Sequence, residues 1–408
     1  MSKMDRAVLE QIDPRVLGAR LQDARKSAGL TQQAVADLLS MSRTTVVAIE
    51  KGERRVTVPE LLEFARVYAR QVSEFVSRRV ITESFVPQFR ASEREMLEEH
   101  ADFEQATIEL QRLAEDYVEL ERITGVSAPR SYPAPYDTTG ASVEQVAMYV
   151  ASAERNRLGL GDGPVGNLRE RLEADLGLRI FYYRMPSRIA GVFAYNDPLG
   201  ACIGINLSHP RDRRQWSLAH EFGHFLMHRF RAEITVLSIR RTGSPSERVA
   251  DAFAEHFLMP STGLDRRFTD IMRGSQSGIT LADIIMLADL YNVSVQAMVL
   301  RLEDMRRLPA GTWDRLKAEG FKPQHAQQLL GIDANSPVSE SLPRRYVALA
   351  VESFRRGDLS EGQLARYLRT DRVSARIQVE QSQRQIYSEQ DEFAGLGDLD
   401  LAMPLDGR

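Results

Sequence analysis

The residues in this chain best suited to chemistry stand at His220-Glu221-Phe222-Gly223-His224. On a helix, two histidines four positions apart share one face, one turn apart, so both imidazoles can reach a single ion. Glu221 is offset too far to ligate. It is placed instead to take a proton from water at the metal and hand it to a leaving amine. With seven histidines in 408 residues, the pattern arises by chance on the order of once in a hundred such chains, so it needs support.

Support comes from a third ligand. Zinc takes three protein ligands and keeps a fourth position open. The single cysteine, Cys202, excludes a cysteine cluster, which leaves histidine and carboxylate as donors. Glu247 is the best candidate: it opens Glu247-Arg248-Val249-Ala250-Asp251, in which Glu247 and Asp251 share a helix face. Asp251 would accept the outer N–H of a ligating histidine and fix its tautomer; the plain alternative is a solvent-facing carboxylate. His228 follows His224 by four, but no glycine separates them, so the helix carries it about 80° round from His220. A structural or oxyanion-side role is expected there, shared as a candidate with Tyr195 on sequence proximity alone. His256 and Glu255 are weaker alternatives, and His209, before Pro210 at a helix start, is expected to lie outside the site. Gly223, inside the helix, costs about 1 kcal/mol relative to alanine, tolerable where another element packs closely.

A second constellation lies near the N-terminus. Thr31 caps a helix whose apolar face reads Ala34, Val35, Leu38 and Leu39; Ser40-Met41-Ser42 makes a short turn, and Arg43–Lys51 forms a second helix stopped by Gly52. Two short helices joined this tightly can seat the second in a DNA major groove. Val46 and Ile49 would face inward, leaving Arg43, Thr44 and Thr45 outward, with Gln32 and Arg54 or Arg55 available to phosphates. Residues 1–75 hold twelve Lys/Arg against ten Asp/Glu, and the net charge of the chain is −4, so any DNA contact is local.

The elements that must position these residues follow from length and punctuation. A chain of 408 residues, 43% hydrophobic and 27% charged, is an ordinary globular composition for two to three domains. No apolar run approaches a bilayer span and the first ten residues are charged, so a soluble cytoplasmic protein without membrane contact is expected. Residues 93–122 read as one helix with eleven acidic residues against Arg94, Arg112 and Arg122, taken as a solvated amphipathic helix joining two domains or pairing with a second subunit. Ser127 to Gly140, with three prolines, breaks it and is the best boundary. Helices are expected over 142–157, 167–176, 210–230 and 246–258. Strands are expected over 178–183, 191–194 and 201–206, the last able to receive a substrate as an added strand, with Cys202 a half-buried apolar residue. Residues 279–308 read as helix, with a weaker helical tail to about 383 whose stripe of Tyr346, Leu349, Val351 and Phe354 suits a core or a dimer seam, and a frayed end. The expected organisation is multidomain: an all-α helix-turn-helix domain (1–78), a helical acidic linker (79–140), an α+β domain with a small sheet that carries the paired histidines (141–262), its helical extension (263–310) and an α-helical C-terminal region (311–408).

The run Arg213-Arg214-Gln215-Trp216-Ser217-Leu218-Ala219-His220-Glu221-Phe222-Gly223-His224-Phe225-Leu226-Met227-His228, followed by Glu247 to Ala254 and Phe257-Leu258-Met259-Pro260, resembles the ImmA/IrrE family of zinc metallo-endopeptidases. The resemblance runs from roughly Val143 to Leu308. It implies a minimal zincin-like fold, zinc on His220, His224 and Glu247, Glu221 as general base, and a helix-turn-helix repressor or antitoxin-like protein as substrate. Leu30-Thr31-Gln32, Val35-Ala36, Ser42, Ile49-Glu50-Lys51-Gly52 and Pro59 resemble the lambda-repressor/Cro (XRE) helix-turn-helix, implying double-stranded operator DNA as partner and a homodimer as the acting form. Together they imply a DNA-binding regulator whose endopeptidase relieves repression, with the chain itself among the candidate substrates. The competing expectation is a transcription factor whose zincin-like domain is an inactive metal or ligand sensor.

Overall fold

The computed structural model describes residues 13–68, 70, 72, 75, 85, 100–230, 233–236, 244–274, 278–332 and 341–381. The part of the acidic helix before His100 and the C-terminal end lie outside them. Contacts divide the chain into two compact units, Met1–Thr82 and Glu83–Arg408.

The first unit carries α1 (Pro14–Ser27), α2 (Gln32–Leu38), α3 (Arg43–Glu50) and α4 (Val58–Val67). Each begins at a side-chain cap: Asp13, Thr31, Ser42 and Thr57 accept a backbone N–H of the first turn. Leu21, Val35, Ala36, Val46, Ile49, Leu61 and Phe64 close a small core with no exposure. Leu38, expected in that core, is 62% exposed. The helix ends there, and Ser40, at φ 52°, turns the chain before Leu38 can be covered.

The second unit is built on a four-stranded sheet of β1 (Arg179–Tyr183), β2 (Ile189–Asn196), β3 (Gly200–Asn206) and β4 (Glu233–Val236), in the order β1-β3-β2-β4. β1 pairs with β3 in parallel; the other two pairings are antiparallel. Both faces are buried. Ile180, Phe193, Ala201, Ile203 and Ile205 point into one core, Phe181, Val192, Ala194 and Cys202 into the other. The first face is covered by α6 (Val143–Arg157), α8 (Arg211–His228) and α9 (Pro245–Leu258), with α7 (Leu168–Leu176) leading into β1. Further helices, α10 (Ser261–Gly274), α11 (Leu281–Leu290), α12 (Val295–Asp304), α13 (Thr312–Ala318) and α14 (Pro323–Leu329), continue that core. The pattern over 279–308 is thus two helices, broken where Asn292 turns at φ 52° and Ser294 caps the next.

The other face is covered by α5 (His100–Thr124), α15 (Arg344–Arg355) and α16 (Glu361–Tyr367). This corrects the solvated-connector reading of α5. Phe103, Leu110, Leu113, Tyr117 and Leu120 are buried against the sheet. Its carboxylates meet arginines from distant positions: Glu121 binds Arg179 at 2.7 Å, Glu109 binds Arg369 at 2.9 Å and Asp102 binds Arg188 at 2.6 Å. The proline-rich segment is likewise strapped down, with Tyr136 N donating to Leu226 O at 3.0 Å and Arg229 donating to Pro133 O at 2.6 Å. β3 is paired on both sides, so it has no free edge to accept a substrate strand. Among the described residues no single helix is long and apolar enough to cross a membrane.

Candidate metal centre

α8 lies between the sheet and α9. Its apolar residues Leu218, Phe222 and Phe225 are wholly buried, and the same packing draws His220, Glu221 and His224 inside, at 1%, 0% and 0% exposure. Successive matches tie α8 to β2: Glu221 abuts Gly191, and the Phe225 ring lies 6.3 Å from that of Phe193. Two strand residues and one helical turn advance the chain by about the same 6 Å, so the elements run in step. Gly223 lies where α9 comes closest. A Cβ there would sit 3.0 Å from Phe253 Cδ1 and 3.4 Å from Ala250 Cα, which is the close packing that a mid-helix glycine permits.

α9 starts at its cap Ser244, which places Glu247 in the first turn, where a carboxylate also suits the helix dipole. From there Glu247 reaches both histidines. Its Oε2 is 3.3 Å from His220 Nε2 and its Oε1 3.2 Å from His224 Nε2, and the two Nε2 atoms are 3.0 Å apart. One turn on, Asp251 accepts the Nδ1–H of His220 at 2.8 Å, which leaves Nε2 facing the other two donors. Burial pulls the His220 imidazole down, but the hydrogen bonds to Asp251 and Glu247 outweigh it and push it up to about 10. Burial lowers His224, so the proton of the pair sits on His220. Glu247 is held well below the usual carboxylate range, because both histidines more than offset its burial.

Three donors from two helices thus converge within 4.8 Å, the only such group among the described residues. A tetrahedral ion with bonds of about 2.0–2.1 Å sets its ligand atoms roughly 3.3–3.4 Å apart. The observed separations fit such an ion with little adjustment.

The remaining candidates lie elsewhere. The His228 ring is 5.8 Å from that of His224, outside the three-donor group. Tyr195 is four strand residues from Gly191, on the order of 13 Å, and its hydroxyl donates to Asp197 at 2.7 Å. His256 binds Glu144 at 2.5 Å and accepts from Arg301 at 2.9 Å, Glu255 binds Arg301 at 3.0 Å, and His209 binds Ser187 O at 2.8 Å, so all three are structural. Cys202 is wholly buried on the sheet face opposite α8, and burial pushes its thiol up to about 12. Two residues escaped the sequence reading. Gly191 makes room for Glu221. Asn206, wholly buried, donates to Met185 O, Pro186 O and Ile189 O at 3.1, 3.0 and 2.8 Å, fixing the loop that enters β2. Its only signal was an amide directly after the apolar run of β3.

In the first unit Arg43 and Thr44 are exposed at the start of α3, and Ser42 Oγ lies 2.7 and 2.8 Å from the Thr44 and Thr45 hydroxyls. Gln32 is drawn inward instead, donating to Glu50 at 2.9 Å, beside the buried bidentate pair of Arg25 with Glu50 at 2.6 and 3.0 Å. Arg54 pairs with Glu60 at 2.7 Å, and Arg55 is exposed.

Comparison with known proteins agrees with this division of labour. Residues 173–303 match a peptidase family model described as the IrrE N-terminal-like domain, and residues 16–75 match a helix-turn-helix domain. Among curated proteins none matches. Among solved structures, the crystal structure of ComR from Streptococcus suis is 11% identical over 92% of this chain and 91% of that one; its TM-score of 0.16 is too low to bear on fold or function. The chain is a DNA-binding regulator with a protease-like domain of metallopeptidase type.

Proposed function

We propose that this regulator is a zinc-dependent endopeptidase that cleaves a helix-turn-helix repressor or antitoxin-like protein, itself included, and so relieves repression. The observation that carries the reading is the convergence of His220, His224 and Glu247 with Glu221 next to them on the buried face of α8. His220, His224 and Glu247 would hold the ion, and Asp251 keeps His220 in the tautomer that presents Nε2. Bound zinc would supply Lewis acidity, polarising a scissile carbonyl and lowering the pKa of water toward about 7. Glu221 takes up and returns the proton; its complete burial beside Gly191 of β2 keeps bulk water from competing for it. A purely structural or sensing site needs no carboxylate in that place, which favours the enzyme over the sensor. The helix-turn-helix unit would bring the protease to operator DNA as a homodimer in the cytoplasm.

The test combines metal analysis with mass spectrometry of helix-turn-helix proteins incubated with the zinc-loaded chain, the Glu221→Gln chain among them as substrate. One zinc per chain and a peptide product lost in the Glu221→Gln enzyme support the reading. Stoichiometric zinc with regulation unchanged in Glu221→Gln cells would sink it in favour of the sensor.

A further inference from the structure

Gly191 of β2 is held to glycine by space and not by backbone angle, since it lies outside the left-handed region. A Cβ built on it would fall 2.4 Å from Glu221 Oε1, 2.9 Å from Cγ and 3.0 Å from Cδ. The collision therefore involves the whole outer half of the Glu221 side chain, and not only its tip. Glu221 is wholly buried, so it has no solvent to swing into.

The strand cannot give way easily either. Ile189 pairs with Val236 and Gly191 with Thr235, so β2 carries one extra residue, a bulge, immediately before Gly191. The burial pattern shows the same slip: Ile189 shares a face with Val192 and Ala194, which strict alternation forbids. On the other side Gly191 pairs with Ile205 of β3, and Asn206 ties Ile189 O from within the sheet. The bulge thus presents a side-chain-free stretch of backbone to the carboxylate, and two neighbouring strands fix its depth.

We propose that Gly191 is a positioning residue for Glu221: the missing side chain and the adjoining bulge set where the carboxylate stands relative to His220 and His224. The catalytic consequence rests on the metallopeptidase reading; the contact does not. Restoring an ordinary separation of 3.4 Å from 2.4 Å would move the carboxylate about 1 Å, and a misplacement of that size costs about 10²-fold in rate.

The test uses the zinc-loaded full chain in four forms, parent, Gly191→Ala, Glu221→Ala and the double variant, together with Gly191→Ala/Glu221→Asp. Gly191→Ala is expected to keep its zinc, to unfold several degrees lower than the parent, and to lose about 100-fold in kcat with KM unchanged on the substrate from the cleavage screen. In the Glu221→Ala background, where the space is empty, the same substitution should leave Tm unmoved, and Glu221→Asp should recover part of the loss. Equal Tm losses in both backgrounds, parental kcat in Gly191→Ala, or a double variant that fails to fold would overturn the assignment. If the parent cleaves nothing, the protease reading falls, and the Tm comparison still decides the role of Gly191.

Discussion

Asp251→Ala isolates the contribution of the carboxylate behind the candidate metal ligands. Removing a partner that orients a ligating histidine costs about 10- to 100-fold in metal affinity. The Asp251 side chain is 55% exposed, so water takes part of its place and the expected loss sits near the lower bound, about tenfold or 1.4 kcal/mol. A second effect opposes it. Hydrogen bonds to Asp251 and Glu247 hold His220 up to about 10 against its burial, so zinc must displace a proton at neutral pH. Without Asp251 that proton leaves more easily. The loss should therefore be largest at alkaline pH, where neither protein holds the proton, and shrink toward neutrality. Asp251→Asn keeps an acceptor oxygen without the charge and should retain most of the affinity. Competition against a chromophoric chelator across pH reads all three proteins. An alanine variant that binds zinc as tightly as the parent at alkaline pH, or an asparagine variant as weak as alanine, would refute orientation as the role of Asp251.

Other consequences can be measured on the same chain. A chelator should lower the unfolding transition of the second unit and leave that of the first unmoved, by about 2.7 kcal/mol where zinc had been at a hundred times its Kd; calorimetry showing no metal-dependent transition would remove the site. Glu50→Ala strands Arg25, whose side chain is 11% exposed, and should destabilise the first unit by roughly 3–5 kcal/mol in denaturant titration. Burial raises the Glu50 carboxyl, but hydrogen bonds from Arg25, Gln32 and Gln22 outweigh it and lower it. That stabilisation is therefore complete above the unfolded value of about 4.3 and is lost as pH falls through the folded one. Arg43→Ala should weaken binding to a selected operator by roughly tenfold or more with stability unchanged, whereas Gln32→Ala should act first on stability; the reverse pattern in gel-shift and melting data would exchange their roles.

The three-donor group could be read from sequence because its geometry is local. His220 and His224 are one helical turn apart, as are Glu247 and Asp251, and the order of blocks supplied the pairing between the helices. What could not be read depends on partners far along the chain. The acids of α5 look solvated in a window of thirty residues, yet Arg179, Arg188 and Arg369 meet them from other elements. β3 reads as a half-buried strand because alternation does not reveal how many neighbours a strand has. Gly191 looks like any strand glycine until α8 is laid across it, and the bulge before it depends on the register with β4. Leu38 fits a helical stripe, but its helix stops too soon for the stripe to be buried.

Two glycines let the helix of the site approach its supports from opposite sides. Gly191 brings the sheet against Glu221, and Gly223 brings α9 against α8, so that Glu247 reaches histidines on another helix. Close approach gives precise placement only if the supports are themselves held. α9 is pinned from behind by Arg155, which donates to Phe257 O at 2.5 Å. β2 is pinned by its outer face, where Val192 and Ala194 enter the core made with α5 and α15. The C-terminal helices share that core: the Tyr346 ring lies 6.3 Å from that of Phe181 on β1 and 5.5 Å from that of Tyr117 on α5, and α5 in turn packs on β2. Uncovering a sheet buried on both faces would expose Phe181 and Tyr117 along with it and release the register on which the bulge depends. The C-terminal region thus backs the sheet on the side away from the three-donor group, to which none of its described residues contributes.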